Sequence, residues 1–168
     1  HYGWIKERYL LALDMDGTLL KSDKTILPNT AASLNEASNR GQSICLCTGR
    51  GLAELKDYEG ELDFCDYGIL LSGCLIYDFK NDQPLEVHSF DTDVFTQMMD
   101  VVKKEDVMLY LLDSSHSIAS QKDVENMPYY NMAIYQSMFE SRAFIVEDIY
   151  EYAEVHKDEI LKFCLYNP

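Results

Sequence analysis

The chain has 168 residues, 47% of them hydrophobic, and its 29 acidic and 14 basic residues give a net charge of −15. The length predicts one domain, or one domain with part of a second, and the hydrophobic content excludes a disordered chain. The charge argues against a nucleic-acid partner, because binding a duplex needs a basic surface. No apolar run approaches the roughly 18 residues of a membrane span, and five cysteines without a secretory leader predict reduced thiols in a cytoplasmic protein with no membrane partner.

The first half of the chain alternates strand and helix patterns. Short apolar runs are followed by Asp14, Thr48 and Ser72, and such runs are typical of strands buried on both faces of a parallel sheet. Between the first two runs, Asn29 or Thr30 can cap a helix. The predicted order is a strand at residues 9–13, a helix at 28–40, a strand at 43–47, a helix at 52–58 and a strand at 67–71. We therefore expect an α/β fold with a Rossmann-like parallel sheet.

After Gly73 the pattern changes, and no further glycine occurs. Strands are predicted at residues 75–79, 85–90, 107–112, 118–120 and 160–166, with helices beginning at Asp91 or Thr92 and spanning 148–156. Residues 127–139 have no clear pattern. We place a boundary within residues 78–84, which divides the chain into an α/β part, residues 1–84, and an α+β segment, residues 85–168.

Acidic and hydroxyl side chains follow the first predicted strand, in the order Asp14-Met15-Asp16-Gly17-Thr18. The two carboxylates stand two positions apart, so both can lean to one side of an extended segment. Gly17 permits a tight turn, and Thr18 adds a hydroxyl. Ligands of open α/β sheets bind outside the carboxyl ends of the strands. We therefore expect Asp14 and Asp16 to face a ligand.

The next two predicted strands end in Thr48-Gly49-Arg50 and Ser72-Gly73. The Thr48 hydroxyl, the Gly49 N–H and the Arg50 guanidinium are donors that suit phosphate oxygens, although Arg50 fits a solvated or structural ion pair equally well. Two carboxylates would repel a phosphate dianion unless a cation lies between them. The expected cofactor is Mg²⁺, a hard cation that prefers oxygen ligands.

The segment Leu11-Ala12-Leu13-Asp14-Met15-Asp16-Gly17-Thr18-Leu19-Leu20 resembles the first motif of the haloacid dehalogenase (HAD) superfamily of phosphohydrolases, and Cys47-Thr48-Gly49-Arg50 resembles its second. Residues 72–78 are similar to the segment after the third strand in the Cof-type branch, whose α/β cap follows the second motif. The resemblance implies the N-terminal part of a HAD-like core in residues 1–84 and an incomplete cap in residues 85–168.

By this resemblance, Asp14 is the nucleophile that forms an aspartyl-phosphate, and Asp16 is the general acid and then the general base. The metal ligands are Asp14, through its side chain, and Asp16, through its main-chain carbonyl. The implied function is a Mg²⁺-dependent phosphatase acting on a small phosphorylated metabolite such as a sugar phosphate. The implied substrate-binding residues are Gly17, Thr18, Thr48, Gly49 and Arg50.

Two further motifs of that family are not matched. One supplies a lysine that neutralises the nucleophile, and the other is a glycine-led acidic motif that the absence of glycine after Gly73 excludes in its usual form. The pattern is therefore that of a truncated member. If the chain is this short, we expect a homodimer or a domain swap to cover the exposed edge of its sheet.

Several functions stay open at this point. The main alternative to a phosphatase is a truncated or degenerate chain without turnover that acts as a binding or assembly module. A phosphotransferase or mutase would use the same aspartyl-phosphate, and a phosphorylation-receiving signalling domain also places acidic residues at strand ends. Release of phosphate to water distinguishes the phosphatase from the transferase, and a phospho-aspartate that lasts minutes distinguishes the signalling domain.

Overall fold

The computed structural model describes residues 7–168, which form two compact units. The first unit contains residues up to Gly49 together with Asp57–Glu86, and the second contains Arg50–Lys56 together with Val87–Pro168. The chain therefore contributes a short segment to the second unit before it returns to complete the first.

The first sheet has five strands, in the spatial order β1-β2-β3-β4-β5. The first three run parallel, and β4 pairs antiparallel with β3. This arrangement confirms the predicted Rossmann-like α/β sheet. The strands are β1 (Leu10–Asp14), β2 (Ser43–Cys47), β3 (Tyr67–Leu70), β4 (Leu75–Asp78) and β5 (Gln83–Val87).

Helix α1 (Pro28–Asn39) connects β1 to β2, and α2 (Leu52–Leu55) follows β2 and leads into a 3-10 turn. The prediction that Asn29 or Thr30 caps α1 is wrong. The N-cap is Leu27, which gives no side-chain cap, and Pro28 at the first turn supplies the helical φ instead. Gly41 follows the end of the helix with a φ of 83°, and its N–H donates to the Ser38 carbonyl.

The expectation that the first strand is buried on both faces is also wrong. In β1 every second residue is exposed, and Leu10 retains 64% of its accessible surface. The face that carries Ile44 and Leu46 is covered, whereas Leu10 and Ile69 lie on a face that is partly open, with Ile69 38% exposed. An apolar run alone does not determine how many layers cover a sheet, because burial on the second face depends on a separate set of contacts.

The second sheet has four strands, in the order β8-β7-β6-β9. Strand β6 pairs antiparallel with β7 and β9, and β7 pairs parallel with β8. The strands are β6 (Met108–Leu112), β7 (Ser117–Ser120), β8 (Phe144–Val146) and β9 (Lys162–Tyr166). The helices are α3 (Thr92–Val102), α4 (Gln121–Glu125), α5 (Gln136–Arg142) and α6 (Ile149–Val155). The sequence patterns had not predicted α4, α5 or β8.

The core of the second unit lies on both faces of β6. On one face, Leu109 and Leu111 pack among side chains of α3 and α6, including Phe95 and Ala153. On the other face, the Tyr110 ring meets the Phe139 ring of α5 edge-on at 4.9 Å. The segment without a clear sequence pattern therefore covers the second face of this sheet. This mixed unit and the parallel sheet of the first unit together match the predicted fold class.

Candidate active site

Strand β1 ends at Asp14, and the chain then turns sharply over a buried anchor. Met15 has no accessible surface, and its carbonyl accepts the Leu20 N–H at 2.9 Å. The Asp14 carbonyl accepts the Leu19 N–H at 3.2 Å. Because Met15 points inward, its neighbours Asp14 and Asp16 both keep exposed side chains. That both face one ligand stays a prediction.

The Asp14 carboxylate is oriented by a residue of the same turn. The Thr18 hydroxyl donates to Oδ2 of Asp14 at 2.9 Å. Gly17, between the two acids and Thr18, has a φ of 81° that L side chains rarely adopt. The glycine therefore allows the chain to fold back so that Thr18 reaches Asp14, a role more specific than the tight turn expected from the sequence.

Asp16 has a cationic neighbour that sequence reasoning missed. The Lys24 ammonium lies 2.8 Å from Oδ1 of Asp16, and the two side chains are 56% and 42% exposed. Lys24 follows Asp16 by eight residues, a separation with no regular spacing rule, so no sequence pattern pointed to this contact.

The second and third strand ends lie beside the first. In the parallel register, Asp14 of β1 is opposite Cys47 of β2, and Cys47 is opposite Ile69 of β3. Thr48 follows Cys47 directly, is 8% exposed, and donates its N–H to the Ile69 carbonyl at 2.9 Å. The structure therefore brings Asp14, Asp16 and Thr48 to the same end of the sheet.

A left-handed turn follows β3. Leu71, Ser72 and Gly73 have φ values of 52°, 60° and 101°. The Ser72 N–H donates to the Thr48 carbonyl at 3.2 Å, which ties the second and third strand ends together. Sequence reasoning placed Ser72 and Gly73 at this end but gave no indication that Leu71 also adopts a positive φ.

Arg50 and Gly49 fall on opposite sides of the division between the units. Gly49 belongs to the first unit, which holds Asp14 and Thr48, whereas Arg50 belongs to the second. Both roles weighed for Arg50 from the sequence, phosphate contact and structural ion pair, therefore stay predictions.

The donor set at the strand ends agrees with Mg²⁺ in chemistry. Asp14 offers carboxylate oxygens, and Asp16 offers a carboxylate and a main-chain carbonyl, all of them hard ligands. Among residues 7–168, no three His, Cys, Asp or Glu side chains are grouped to hold a metal ion. Two protein residues still suit Mg²⁺, which retains several waters and is often held by one or two carboxylates.

Cys45 of β2 is a poor candidate for a metal ligand. Cys45 lies within the strand and is 4% exposed, and burial raises the pKa of its thiol to about 11. Metal ligation needs the thiolate, which such a pKa disfavours near neutral pH. Cys45 is therefore a small buried residue of the strand.

The match to a known family covers nearly the whole chain, since the model of haloacid dehalogenase-like hydrolases aligns with residues 11–168. The chain belongs to the haloacid dehalogenase-like hydrolase family. The resemblance drawn from the residues around Asp14 and Thr48 is thereby confirmed, including its Cof-type character.

Named relatives of this HAD-family chain include phosphatases of two substrates. It is 32% identical over 100 residues to the 5-amino-6-(5-phospho-D-ribitylamino)uracil phosphatase YitU of Bacillus subtilis, covering 59% of this chain and 37% of YitU. It is 25% identical over 128 residues to the pyridoxal phosphate phosphatase YbhA of Escherichia coli, covering 71% of this chain and 47% of YbhA. The chain thus spans at most about half the length of these relatives.

The fold also matches solved HAD phosphatases. The structure of BT1666 from Bacteroides thetaiotaomicron superposes with a TM-score of 0.69 at 21% identity, covering 97% of this chain and 57% of BT1666. At that identity the likeness establishes the shared fold. Within residues 7–168, no helix has the length and apolar character needed to cross a membrane.

Proposed function

We propose that this chain carries the nucleophile and the acid–base residue of a Mg²⁺-dependent phosphatase, which hydrolyses a small phosphorylated metabolite through an aspartyl-phosphate on Asp14. The observation that carries the proposal is the placement of Asp14 and Thr48 at adjacent ends of parallel strands, with the Asp14 carboxylate oriented by Thr18. Family membership supports the same chemistry.

Asp14 supplies the nucleophile. Thr18 donates to Oδ2, and we assign the attack on phosphorus to the other oxygen, Oδ1. The Oδ1–P bond forms as the bond from phosphorus to the substrate oxygen breaks. Splitting hydrolysis into two displacements in this way replaces one difficult step with two easier ones.

Asp16 moves the proton in both steps. It donates a proton to the departing alkoxide, and it then takes one from the water that attacks the phosphorylated Asp14, which releases inorganic phosphate and restores the carboxylate. Its half-exposed side chain can exchange that proton with solvent between turnovers.

The donors that bind the phosphate group are the Thr48 hydroxyl and the N–H groups at Gly49, Gly17 and Thr18. Mg²⁺, held by Asp14 and the Asp16 carbonyl, would neutralise charge on the transferring group. The donors of this chain fix the phosphate in line with Oδ1, which is the geometry the displacement needs.

The substrate class is a small phosphomonoester. Two relatives are named for phosphates of small metabolites, a ribitylaminouracil and pyridoxal, and the phosphoribityl group of the first supports a sugar-phosphate-like compound. The acidic chain is a poor partner for nucleic acid, and the five cysteines are all free thiols, which supports a reducing, cytoplasmic setting.

The test is hydrolysis of para-nitrophenyl phosphate with Mg²⁺ by the purified protein and its variants. Asp14→Asn is expected to lower the rate by at least about 1,000-fold, as loss of a nucleophile does in other covalent enzymes. The matched control, Asp23→Asn, removes an exposed acid that lies after the Asp14–Thr18 turn and pairs with Lys21. Its rate should stay within about 2-fold of the wild type, as expected for an exposed pair.

Acid-quenched protein treated with labelled phosphomonoester should carry phosphate on the peptide that contains Asp14, and Asp16→Asn should slow its release. Unchanged hydrolysis in Asp14→Asn would defeat the proposal. Transfer of the label to an acceptor in preference to water would instead favour the phosphotransferase or mutase.

The second candidate, a chain without turnover that acts as a binding or assembly module, is supported by two observations. The chain spans 37% and 47% of the two named relatives, and within residues 7–168 no third acid joins Asp14 and Asp16 at a metal site. Hydrolysis by the isolated 168-residue chain at the rate of a full-length relative would reject this candidate.

A further inference from the structure

A short hairpin follows the Asp14–Thr18 turn, and two buried residues anchor it. Leu20 and Ile26 form an antiparallel bridge and are 3% and 8% exposed. Between them, the Lys21 N–H donates to the Thr25 carbonyl at 3.0 Å, and the Lys24 N–H donates to the Lys21 carbonyl at 2.9 Å. We call residues 21–25 the tip loop. Because its base is buried, the tip loop has a defined position relative to Asp16.

The tip loop carries two lysines with different partners. The Lys21 ammonium lies 2.6 Å from Oδ2 of Asp23, within the loop itself, and bonds the Thr25 hydroxyl at 3.3 Å. These contacts hold the pKa of Asp23 at about 2, chiefly through Lys21 and then through Thr25. The Lys24 ammonium instead leaves the loop and reaches Oδ1 of Asp16 at 2.8 Å. The two lysines therefore form a natural pair of test and control positions.

The backbone at Lys24 is unusual for its side chain. Its φ is 64°, in the left-handed region that glycine and asparagine adopt more readily than lysine. Turn formation alone would favour one of those residues. Non-glycine residues in this region concentrate at functional sites, where the surrounding structure holds them. In this conformation the side chain of Lys24 extends towards the acid that we assign to proton transfer.

We propose that Lys24 is a positioning residue for Asp16, holding the Asp16 carboxylate in one side-chain rotamer at the mouth of the strand ends. The role rests on the proposed function, in which Asp16 must reach the oxygen of the leaving group. The ion pair is about half exposed at both ends, so solvent competes with it and the contact is readily broken and reformed. Such a contact restrains the carboxylate between turnovers without locking it.

The test compares Lys24→Asn with Lys21→Asn and Lys24→Arg. Asparagine tolerates a positive φ, so Lys24→Asn removes the ammonium while keeping the turn. Lys21→Asn removes the ammonium of the same loop that pairs with Asp23, and Lys24→Arg restores a cation at position 24. Matching amide spectra in all three confirm that the hairpin is intact.

The first readout is independent of catalysis. Three-bond couplings to Cγ of Asp16, measured by NMR at one fixed pH on the 168-residue chain, report its χ1 rotamers. We expect one dominant rotamer in the wild type and in Lys21→Asn, averaging over rotamers in Lys24→Asn, and recovery in Lys24→Arg. Averaged couplings in the wild type, or unchanged couplings in Lys24→Asn, would overturn the proposal.

The second readout is hydrolysis of para-nitrophenyl phosphate. Lys24→Asn should lower kcat by roughly 2- to 5-fold with little change in KM, the range expected when one exposed charged contact is lost. If the couplings respond as expected and no variant hydrolyses the ester, the positioning role stands and the proposed function fails. If hydrolysis depends on Asp14 but the couplings do not change in Lys24→Asn, the proposed function stands and the positioning role fails.

Discussion

At the scale of single residues, the candidate site depends on how two neighbouring carboxylates are held differently. The Asp14 carboxylate accepts a hydrogen bond from the Thr18 hydroxyl, and the Asp16 carboxylate forms an ion pair with Lys24. Under the proposed function, the neutral hydroxyl beside Asp14 fixes its orientation while leaving the full charge available for attack, whereas the cation beside Asp16 favours its charged carboxylate, the form that accepts a proton from water. The two environments therefore match two different roles.

Replacing Thr18 by Val should slow the reaction without unfolding the protein. The hydroxyl that orients Asp14 is lost, and a hydrogen bond to a charged group contributes roughly 1.5–3 kcal/mol. Because this site is exposed to solvent, we expect the hydrogen bond to contribute an energy at or below the low end of that range. The corresponding fall in kcat is about 5- to 10-fold. Steady-state kinetics with para-nitrophenyl phosphate measure it.

Two variants control that experiment. Thr18→Ser keeps the hydroxyl and should restore most of the rate. Thr25→Val removes a hydroxyl that donates to Asp23 in the tip loop and should leave kcat within about 2-fold. Equal values of kcat for Thr18→Val and the wild type would show that the hydrogen bond from Thr18 to Asp14 does not contribute to the rate.

A buried thiol should make the stability of the first unit fall at alkaline pH. Burial raises the pKa of Cys65, which is 1% exposed, from 9.0 to about 12. Between those values the unfolded chain loses the proton and the folded chain keeps it. The free energy of unfolding therefore decreases as pH rises through this window, and the contribution is complete below pH 9.

Urea denaturation between pH 8 and 10.5 measures this effect. Cys65→Ala removes the titrating group, so its denaturation midpoint should fall less steeply with pH than that of the wild type, whatever constant stability the substitution costs. Cys74→Ala, at a partly exposed position outside the strands, is the control. Identical slopes for Cys65→Ala and wild type would contradict the assignment.

At the scale of elements, β3 shows why a strand can need a glycine. A Cβ added at Gly68 would lie 2.9 Å from Cδ2 of Leu70 and 2.9 Å from Cζ of Phe79. The backbone of β3 therefore approaches the Phe79 ring more closely than any side chain permits. Since the next residues of the same strand lead to Ser72 and its bond to Thr48, this packing also supports the strand end at the candidate site.

Gly68→Ala should destabilise the first unit by about 1–3 kcal/mol, the usual cost of inserting a methyl group into a packed site. Denaturant unfolding measures the loss. Adding Phe79→Leu removes the ring that the new methyl meets, so the double variant should lose less than the sum of the two single changes. Simple additivity would mean that the Phe79 ring is not the obstacle.

The loops carry more of the chemistry than the strands do. The turn after β1 exposes the two acids only because Met15 is buried between them, and the turn after β3 needs positive φ values at Leu71, Ser72 and Gly73. Strand patterns predicted where these loops begin, since apolar runs stop there. The conformations inside the loops depend on hydrogen bonds to neighbouring strand ends, which no local pattern contains.

At the scale of the whole molecule, each unit has its own sheet, and the two sheets differ in how well they are covered. In the second unit, β6 is buried along its whole length. In the first, Leu10, Tyr67 and Ile69 remain exposed on one face, and β1 forms an edge of the sheet. The expectation from the sequence, a homodimer or domain swap that covers such an edge, stays a prediction that analytical ultracentrifugation can address.

The net charge of −15 also belongs to the whole molecule. Repulsion of a phosphate by distant acids is screened beyond about 8 Å at physiological salt. Under the proposed function, local donors at Thr48 and Gly49, together with a bound cation, therefore decide whether a phosphate enters the site. This is why an acidic protein remains compatible with an anionic substrate.

The sequence by itself determined the order of strands and helices in the first half, the strand ends that carry Asp14, Asp16 and Thr48, and the family. These follow from local patterns, because hydrophobic periodicity and the short motifs act over a few neighbouring residues. Only the tertiary structure decided that Thr18 orients Asp14, that Lys24 pairs with Asp16, that Arg50 groups with the second unit, and that one face of β1 stays open. Each of these depends on which segments meet in three dimensions, and contacts of that kind produce no periodic pattern in the sequence.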